Sequence, residues 1–343
     1  VKFGPVPLAE AEGAILAHSE RVAAGRLRKG VVLGEVEIAA LRAAGHADVT
    51  VARLEPGDLH EDEAALGLAR SLALGAEGIT LSAPFTGRVN LIAARPGVVT
   101  LREAAIHAAN AVDPMITVAT VAPFHQIRAG GMIATVKIIA YGVTGAALGR
   151  AAEVGRGAVA LAPVRYRSAS LILTQTPGGP GDKGTEAVAA RLGALGMDLA
   201  ETLRVPHEEA PLAGAIAGAT GEIVLILTAS ATSDVRDTAP AALARAGGRL
   251  IRFGLPVDPG NLLFLGEIGA RPVIGLPGSA RSPVLHGADW VLARVACGLP
   301  CGPAEMAAMG VGGLLKEIPT RPQPRRGPRA PGETGFSSGP THD

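Results

Sequence analysis

SASLILTQTPGGPGDKGTEAVAARLGALGMDLAETLRV, residues 168–205, is the stretch on which the fold of the chain's second half turns. SASLILTQ is a short apolar run without charge, the pattern of a strand covered on both faces. TPGGPGDKG, with four glycines and two prolines in nine residues, breaks it. TEAVAARLGALG then repeats apolar residues at helical spacing and stops at a glycine. MDLAETLRV is a second strand. Outward from this unit, EIVLILT (222–228) and GRLIRFGLP (248–256) read as strands, EEAPLAGAIAGA (208–219) and TAPAALARAGG (238–248) as helices. LLFLGEI (262–268) and RPVIGLPG (271–278) form a hairpin-like pair. Regular alternation of apolar strands and helices predicts an α/β domain over 165–300 with a mostly parallel sheet.

The chain has 343 residues, enough for two or three domains of the usual roughly 100–200 residues. Residues 1–60 read as a small α+β segment: strand-like VVLG (31–34), helical EVEIAALRAAG (35–45) and strand DVTVARL (48–54). Residues 61–150 read as an α+β domain. Within it DLHEDEAALGLARSLALG (58–75) predicts an amphipathic helix with Glu61, Asp62 and Glu63 in its first turn. Those carboxylates favour the positive end of the helix dipole; paired catalytic acids are the alternative. EGITLSAPF, GRVNLIAA, MITVATVAP and GGMIATVKIIAYGV read as strands, LREAAIHAANAV as a helix, and GAALGRAAEVGRGAVALAPV (145–164) as a Gly/Ala hinge. Arg88, His107, His125 and Lys137 have no spacing that unites them and are expected to be structural or surface groups. The Pro-, Gly- and Arg-rich stretch Pro319–Asp343 is expected to be a disordered tail.

Hydrophobic residues make up 48% of the chain and aromatic residues 3%, with a net charge of +1. So few rings argue against a protein that stacks nucleic-acid bases, and so balanced a charge argues against a global field drawing it to DNA or an anionic membrane. The most apolar stretch, 222–232, is far shorter than the ~20 residues of a membrane span. VKFGPVPLAEAEG at the start lacks the apolar run of a signal peptide, and Cys297 and Cys301 are the only cysteines. A cytoplasmic location is the expectation. CxxxC would place the two thiols one turn apart on a helix, with no second pair to complete a zinc site.

Two loops carry chemistry. Gly179, Gly181 and Gly184 spell GxGxxG between a strand and a helix, with Glu201 further on, the outline of a dinucleotide fingerprint. Pro180 stiffens that loop, which begins several residues beyond the strand end. A P-loop is excluded because Lys183 lies between Asp182 and Gly184. The second loop, TASATSDVRD (228–237), follows the most apolar strand. Ligands of open α/β sheets bind beyond the carboxyl ends of the strands, and small residues let backbone N–H groups approach an anion. Asp237 precedes the helix at Thr238 and is either an N-cap or a functional carboxylate.

TASATSDVRDTAPAAL (228–243) resembles the TGGTG-type loop, Arg-Asp pair and Thr-Pro helix start of the MoaB/Mog domain, shared by molybdopterin adenylyltransferases and molybdopterin molybdenumtransferases. LILTQTPGGPGDKG resembles that family's first strand and Asp-Lys-Gly loop. RVPHEEAPLAGAI resembles the segment after its second strand, and GARPVIGLPGS (269–279) its Gly-Leu-Pro-Gly-Asn-Pro element. LPVDPGNLLFLGEI stands in place of its Lys-Pro-Gly-Lys-Pro strand. The first half is similar, more loosely, to bacterial molybdopterin-binding proteins.

The resemblance implies a three-layer α/β/α domain preceded by a smaller α+β region. It implies that molybdopterin or Mo-molybdopterin binds at Thr228, Ala229, Ser230, Ala231, Thr232, Ser233, Asp234 and Arg236, with Asp182, Lys183 and His207, and with Asp258, Asn261, Pro277, Gly278 and Ser279 on the far wall. Asp237 would be the catalytic residue, and Mg2+ a charge-neutralising bridge. The implied activity is molybdenum insertion into (adenylated) molybdopterin. The alternatives are a non-catalytic carrier, delivering cofactor to a cytidylyltransferase or a molybdoenzyme, and an NAD-dependent oxidoreductase using GxGxxG. Related domains associate, so a homo-oligomer is expected. Ala229 and Ser230 replace two family glycines, His207 an aspartate, and Asp258 and Asn261 two lysines.

Overall fold

In the strand Ser168–Gln175, Leu171 and Leu173 enter one apolar cluster and Ile172 enters another. Ile223, Leu225 and Leu227 against Val224 and Ile226 repeat the division. Successive strand side chains emerge on opposite faces, so an unbroken apolar run requires cover on both. Helices Thr185–Ala194 and Gly287–Ala296 supply it on one face, Glu209–Gly218 and Thr238–Arg245 on the other. The computed structural model describes residues 1–315; the tail expected over 319–343 lies outside the described residues.

The sheet has six strands in the order Asp198–Pro206, Ser168–Gln175, Ile223–Leu227, Arg271–Leu276, Phe264–Ile268, Arg249–Phe253. The first four are mutually parallel. Phe264–Ile268 runs antiparallel to both of its neighbours. The hairpin expected at 262–278 therefore does not follow the parallel strands as an appendage. Its second strand inserts beside Ile223–Leu227, whose five residues are all buried. Within the hairpin Gly275 leaves room for its partner: a Cβ there would fall 1.9 Å from the Phe264 ring.

From Ser168–Gln175 the chain crosses to one neighbour, Asp198–Pro206, then returns to the other side as Ile223–Leu227. The helices that follow these two inner strands lie on opposite faces of the sheet. The two connections thus part at the carboxyl ends of adjacent strands and leave a crevice, the place where open α/β sheets receive ligands.

The first half carries two further cores. One joins Leu8, Leu16, Leu33, Leu41, Val49 and Val51 around the sheet Lys2–Pro7, Asp48–Arg53, Ile15–Leu16 and the helix Glu35–Ala43. Of VVLG, only Val32 pairs, in an isolated bridge with Ile15. The other core runs from Ala64 to Leu161. It lies beneath the antiparallel strands Ile116–Thr120, Met132–Ile138, Arg88–Ala93 and Ile79–Leu81, with the helix Glu61–Leu72 against them. It includes what the sequence suggested was a hinge: 145–154 is the helix Gly145–Val154 and 159–163 the strand Val159–Pro163. Thr144 caps that helix by accepting the Ala147 N–H at 3.2 Å. Four alanines, good helix formers, and the burial of Ala147, Leu148 and Ala151 outweigh the cost of the helix's two glycines.

Candidate functional site

Four connections meet at the carboxyl ends of the parallel strands: 176–184, 207–208, 228–237 and 277–286. Thr174, the last buried residue of its strand, ties the second and third together. Its Oγ1 accepts the Ala229 N–H at 2.8 Å and lies 2.9 Å from Nδ1 of His207. His207 also donates its own N–H to the Gln175 carbonyl, at 2.9 Å. The 228–232 turn is closed internally. Thr228 Oγ1 donates to the Ser230 carbonyl at 2.6 Å and lies 3.3 Å from Thr232 Oγ1. The side chains of Thr228 and Thr232 are therefore buried bracing, whereas Ser230, Ala231, Ser233 and Asp234 are exposed. Among the described residues, the N–H groups of Ser230, Ala231 and Thr232 have no acceptor.

Asp237 occupies the N-cap of the helix Thr238–Arg245. Its Oδ1 accepts the Thr238 N–H at 2.7 Å and its Oδ2 the Ser233 N–H at 3.1 Å. Both oxygens thus hold the loop to the helix, which is the capping role in a two-bond form. Arg236 and Lys183 are the two cations among the expected binding residues. Arg236 folds back on Asp234, two residues earlier, at 2.9 Å. The Arg236 guanidinium holds the Asp234 carboxyl below the usual carboxylate range. Asp182 is turned away onto Arg204, which grips it through Nε and Nη2 at 2.7 Å each and lowers its pKa. Lys183 is exposed.

The 277–286 connection is held by a residue that sequence reasoning missed. Arg191, buried in the helix Thr185–Ala194, donates to the carbonyls of Ala280 and Ser282 at 2.8 Å and of Val284 at 3.1 Å. Its Nε bonds Asp289 at 2.7 Å. Burial raises the pKa of Asp289 even against this partner. His286 accepts the Ala288 N–H at Nδ1, so its proton sits on Nε2 and is donated to Ser279 Oγ at 2.8 Å. Asp258 and Asn261 belong to the 254–263 connection, which packs alongside: the Gly287 N–H donates to the Pro259 carbonyl at 2.9 Å. Asn261 donates to the Leu255 carbonyl and is exposed; the Asp258 backbone bonds Gly313 and Leu315. Pro277 is buried, while Gly278 and Ser279 are exposed at the start of a short 3-10 turn.

Arg281, at the end of that turn, was also missed. It lies across the crevice, donating from Nη2 to the Thr228 carbonyl at 2.8 Å. Gly184, at φ +103°, passes so close that a Cβ would stand 2.7 Å from Arg281 Cγ. The only sequence signal of Arg281 is its place three residues after the Gly-Leu-Pro-Gly element.

The donor set does not fit a protein-held Mg2+. The oxygens of Asp237 take backbone N–H groups, and Asp182 and Asp234 take arginines. The dinucleotide outline fails on position. Glu201 accepts from Ser170 and Thr220, near the amino end of the neighbouring strand Ser168–Gln175, while a nucleotide ribose would lie beyond the carboxyl end. Cys297 follows the helix Gly287–Ala296 and Cys301 lies in the next loop, so the CxxxC spacing does not share a helical turn. Burial pushes both thiols up to about 11, which leaves them unreactive at neutral pH. A cavity of about 310 Å3, lined by Tyr166, Ile251, Glu267, Pro272, Leu299 and Cys301, opens elsewhere, near the start of the strand Arg271–Leu276.

Comparison with known proteins adds little to this geometry. Residues 5–53 match a family model described as a domain of unknown function (DUF8806). No curated protein matches the chain. Among solved structures it is similar to the molybdopterin biosynthesis MoeA protein from Pyrococcus horikosii, with 14% identity over 81% of this chain and 70% of that one, at a TM-score of 0.26. No helix of the described residues is long and apolar enough to cross a membrane.

Proposed function

We propose that this chain binds molybdopterin in the crevice between the 176–184 and 228–237 connections, as a step of molybdenum cofactor biosynthesis. The observation that carries the reading is the switch point. The loops that resemble the MoaB/Mog elements, far apart in sequence, gather at the carboxyl ends of adjacent parallel strands whose following helices diverge. The phosphate of the pterin lies against Ser230–Thr232, whose N–H groups have no acceptor among the described residues. Backbone donors of this kind suit an anion. The Thr174–His207–Ala229 network sets the floor.

A specific observation favours the carrier over the transferase. Asp237 spends both carboxylate oxygens on the fold, and Asp258 and Asn261 bring no positive charge to the far wall. The protein's contribution is then retention and orientation, with delivery to a cytidylyltransferase or a molybdoenzyme. Calorimetry with molybdopterin and with NADH tests the reading. Saturable molybdopterin binding without NADH binding is expected; NADH binding alone overturns it. Incubation with molybdate then separates carrier from transferase, since a carrier releases its pterin without turnover.

A further inference from the structure

Arg281 has a half-used hydrogen-bonding edge. The side of a guanidinium carries two parallel N–H groups, on Nε and Nη2, spaced to meet two oxygens. Arg204 fills that edge with the carboxylate of Asp182. Arg281 places Nη2 on the Thr228 carbonyl, while its Nε, although buried, has no acceptor among the described residues. Among the described residues no carboxylate pairs with it, and burial accounts for the lowering of its pKa. The nearby carboxylates are engaged elsewhere, Asp182 on Arg204, Asp234 on Arg236 and Asp237 on backbone.

Its neighbours nonetheless hold it in place. Arg191 fixes the carbonyls of Ala280 and Ser282 on either side of it, and Gly184 closes over its stem. A partly desolvated cation without an anion is unfavourable, and a buried donor without an acceptor requires an explanation. Both conditions are relieved by the same thing, an oxyanion at the start of the 228–234 loop.

We propose that Arg281 is the specificity-determining cation of this crevice, its acceptor-free Nε, beside an Nη2 already engaged by Thr228, selecting a phosphate monoester whose remaining oxygens meet the N–H groups of Ser230–Thr232. This rests on the reading of the crevice as a ligand site and gives that site the positive charge that Asp258 and Asn261 withhold. Carboxylates and neutral pterins bind poorly because one guanidinium edge and a ring of backbone donors suit a tetrahedral dianion.

The test uses the full-length chain and inorganic phosphate, titrated against chloride at constant ionic strength. The arginine Nε–H resonance that disappears in Arg281→Lys is followed in the wild type. It is expected to move saturably with phosphate, and Arg281→Met is expected to weaken phosphate binding at least tenfold, with Arg281→Lys in between. A resonance that stays still at high phosphate, or an Arg281→Met protein that binds phosphate as the wild type does, overturns the proposal. Should Arg281→Met fail to fold, the wild-type resonance decides alone. If phosphate moves the resonance and molybdopterin does not compete, the proposal stands and the pterin reading falls.

Discussion

Asp237 is where reading the sequence and reading the structure part most sharply. From spacing alone it is either a cap, for which asparagine is an adequate substitute, or a functional carboxylate. In the fold it accepts two backbone N–H groups with two oxygens. Asparagine has one acceptor oxygen and would present an NH2 group to the second donor. Asp237→Asn is therefore expected to cost about 1 kcal/mol of stability, and Asp237→Ala about the same or somewhat more. Urea unfolding of the three proteins checks this. Unchanged stability in Asp237→Asn, with loss of a molybdopterin-dependent activity, would return the residue to catalysis. Arg281 and Arg191 show the converse: arginines in apolar helices and loops look alike in sequence, and only the fold reveals that one braces carbonyls while the Nε of the other lacks an acceptor among the described residues.

At the scale of elements, most of the second half was legible because its strands carry their own evidence. Ile223–Leu227 is apolar at every position and Ser168–Gln175 through its centre, and both are buried on both faces. The helix Gly145–Val154 was not legible, since its two glycines and many alanines read as a hinge until packing supplies the missing preference. Strand order was also hidden, because the pairing of Arg271–Leu276 with Ile223–Leu227 joins residues far apart in sequence and leaves no local pattern. The acidic start of the helix Glu61–Leu72 does more than complement a dipole. Glu61 is buried 3.6 Å from Lys137, and Asp62 accepts the Gly87 N–H at 2.6 Å. Burial raises the pKa of Glu61, with Asp62 adding to the rise, while Lys137 and His60 oppose it. A raised folded-state value means that its contribution to stability is complete below the unfolded value, about 4.3, and is lost as pH rises through the folded value. Glu61→Gln stays neutral, so the stability of wild type relative to Glu61→Gln should fall as pH rises from the ordinary carboxylate value toward neutrality. Urea midpoints of both proteins between pH 4 and pH 7 measure it, and a difference that does not change with pH would refute the account.

Across the whole molecule the apolar clusters are separate, yet the one that runs from Ala64 to Leu161 is fastened to the sheet that carries the crevice. Val98 of the strand Gly97–Leu101 packs into the first cluster of the sheet, and the Arg165 N–H donates to the Ala296 carbonyl at 2.8 Å. The most specific link is Arg294, on the helix Gly287–Ala296, whose guanidinium carbon lies 3.8 Å from the centre of the Phe124 ring. Its Nε is buried without an acceptor among the described residues, and burial lowers its pKa. The ring face is thus a principal partner for that charge, and Phe124 is held in reach at φ +58°, a conformation that side chains rarely adopt. A partly desolvated cation–π pair contributes roughly 1 kcal/mol. Arg294→Met and Phe124→Leu each remove the interaction while keeping apolar bulk, and both leave the crevice untouched. The double-mutant cycle, read from urea unfolding, should therefore give a coupling of about 1 kcal/mol. That coupling should change little between low and high salt, because the charge is shielded from solvent. Additive effects of the two substitutions would mean that the ring merely covers the arginine.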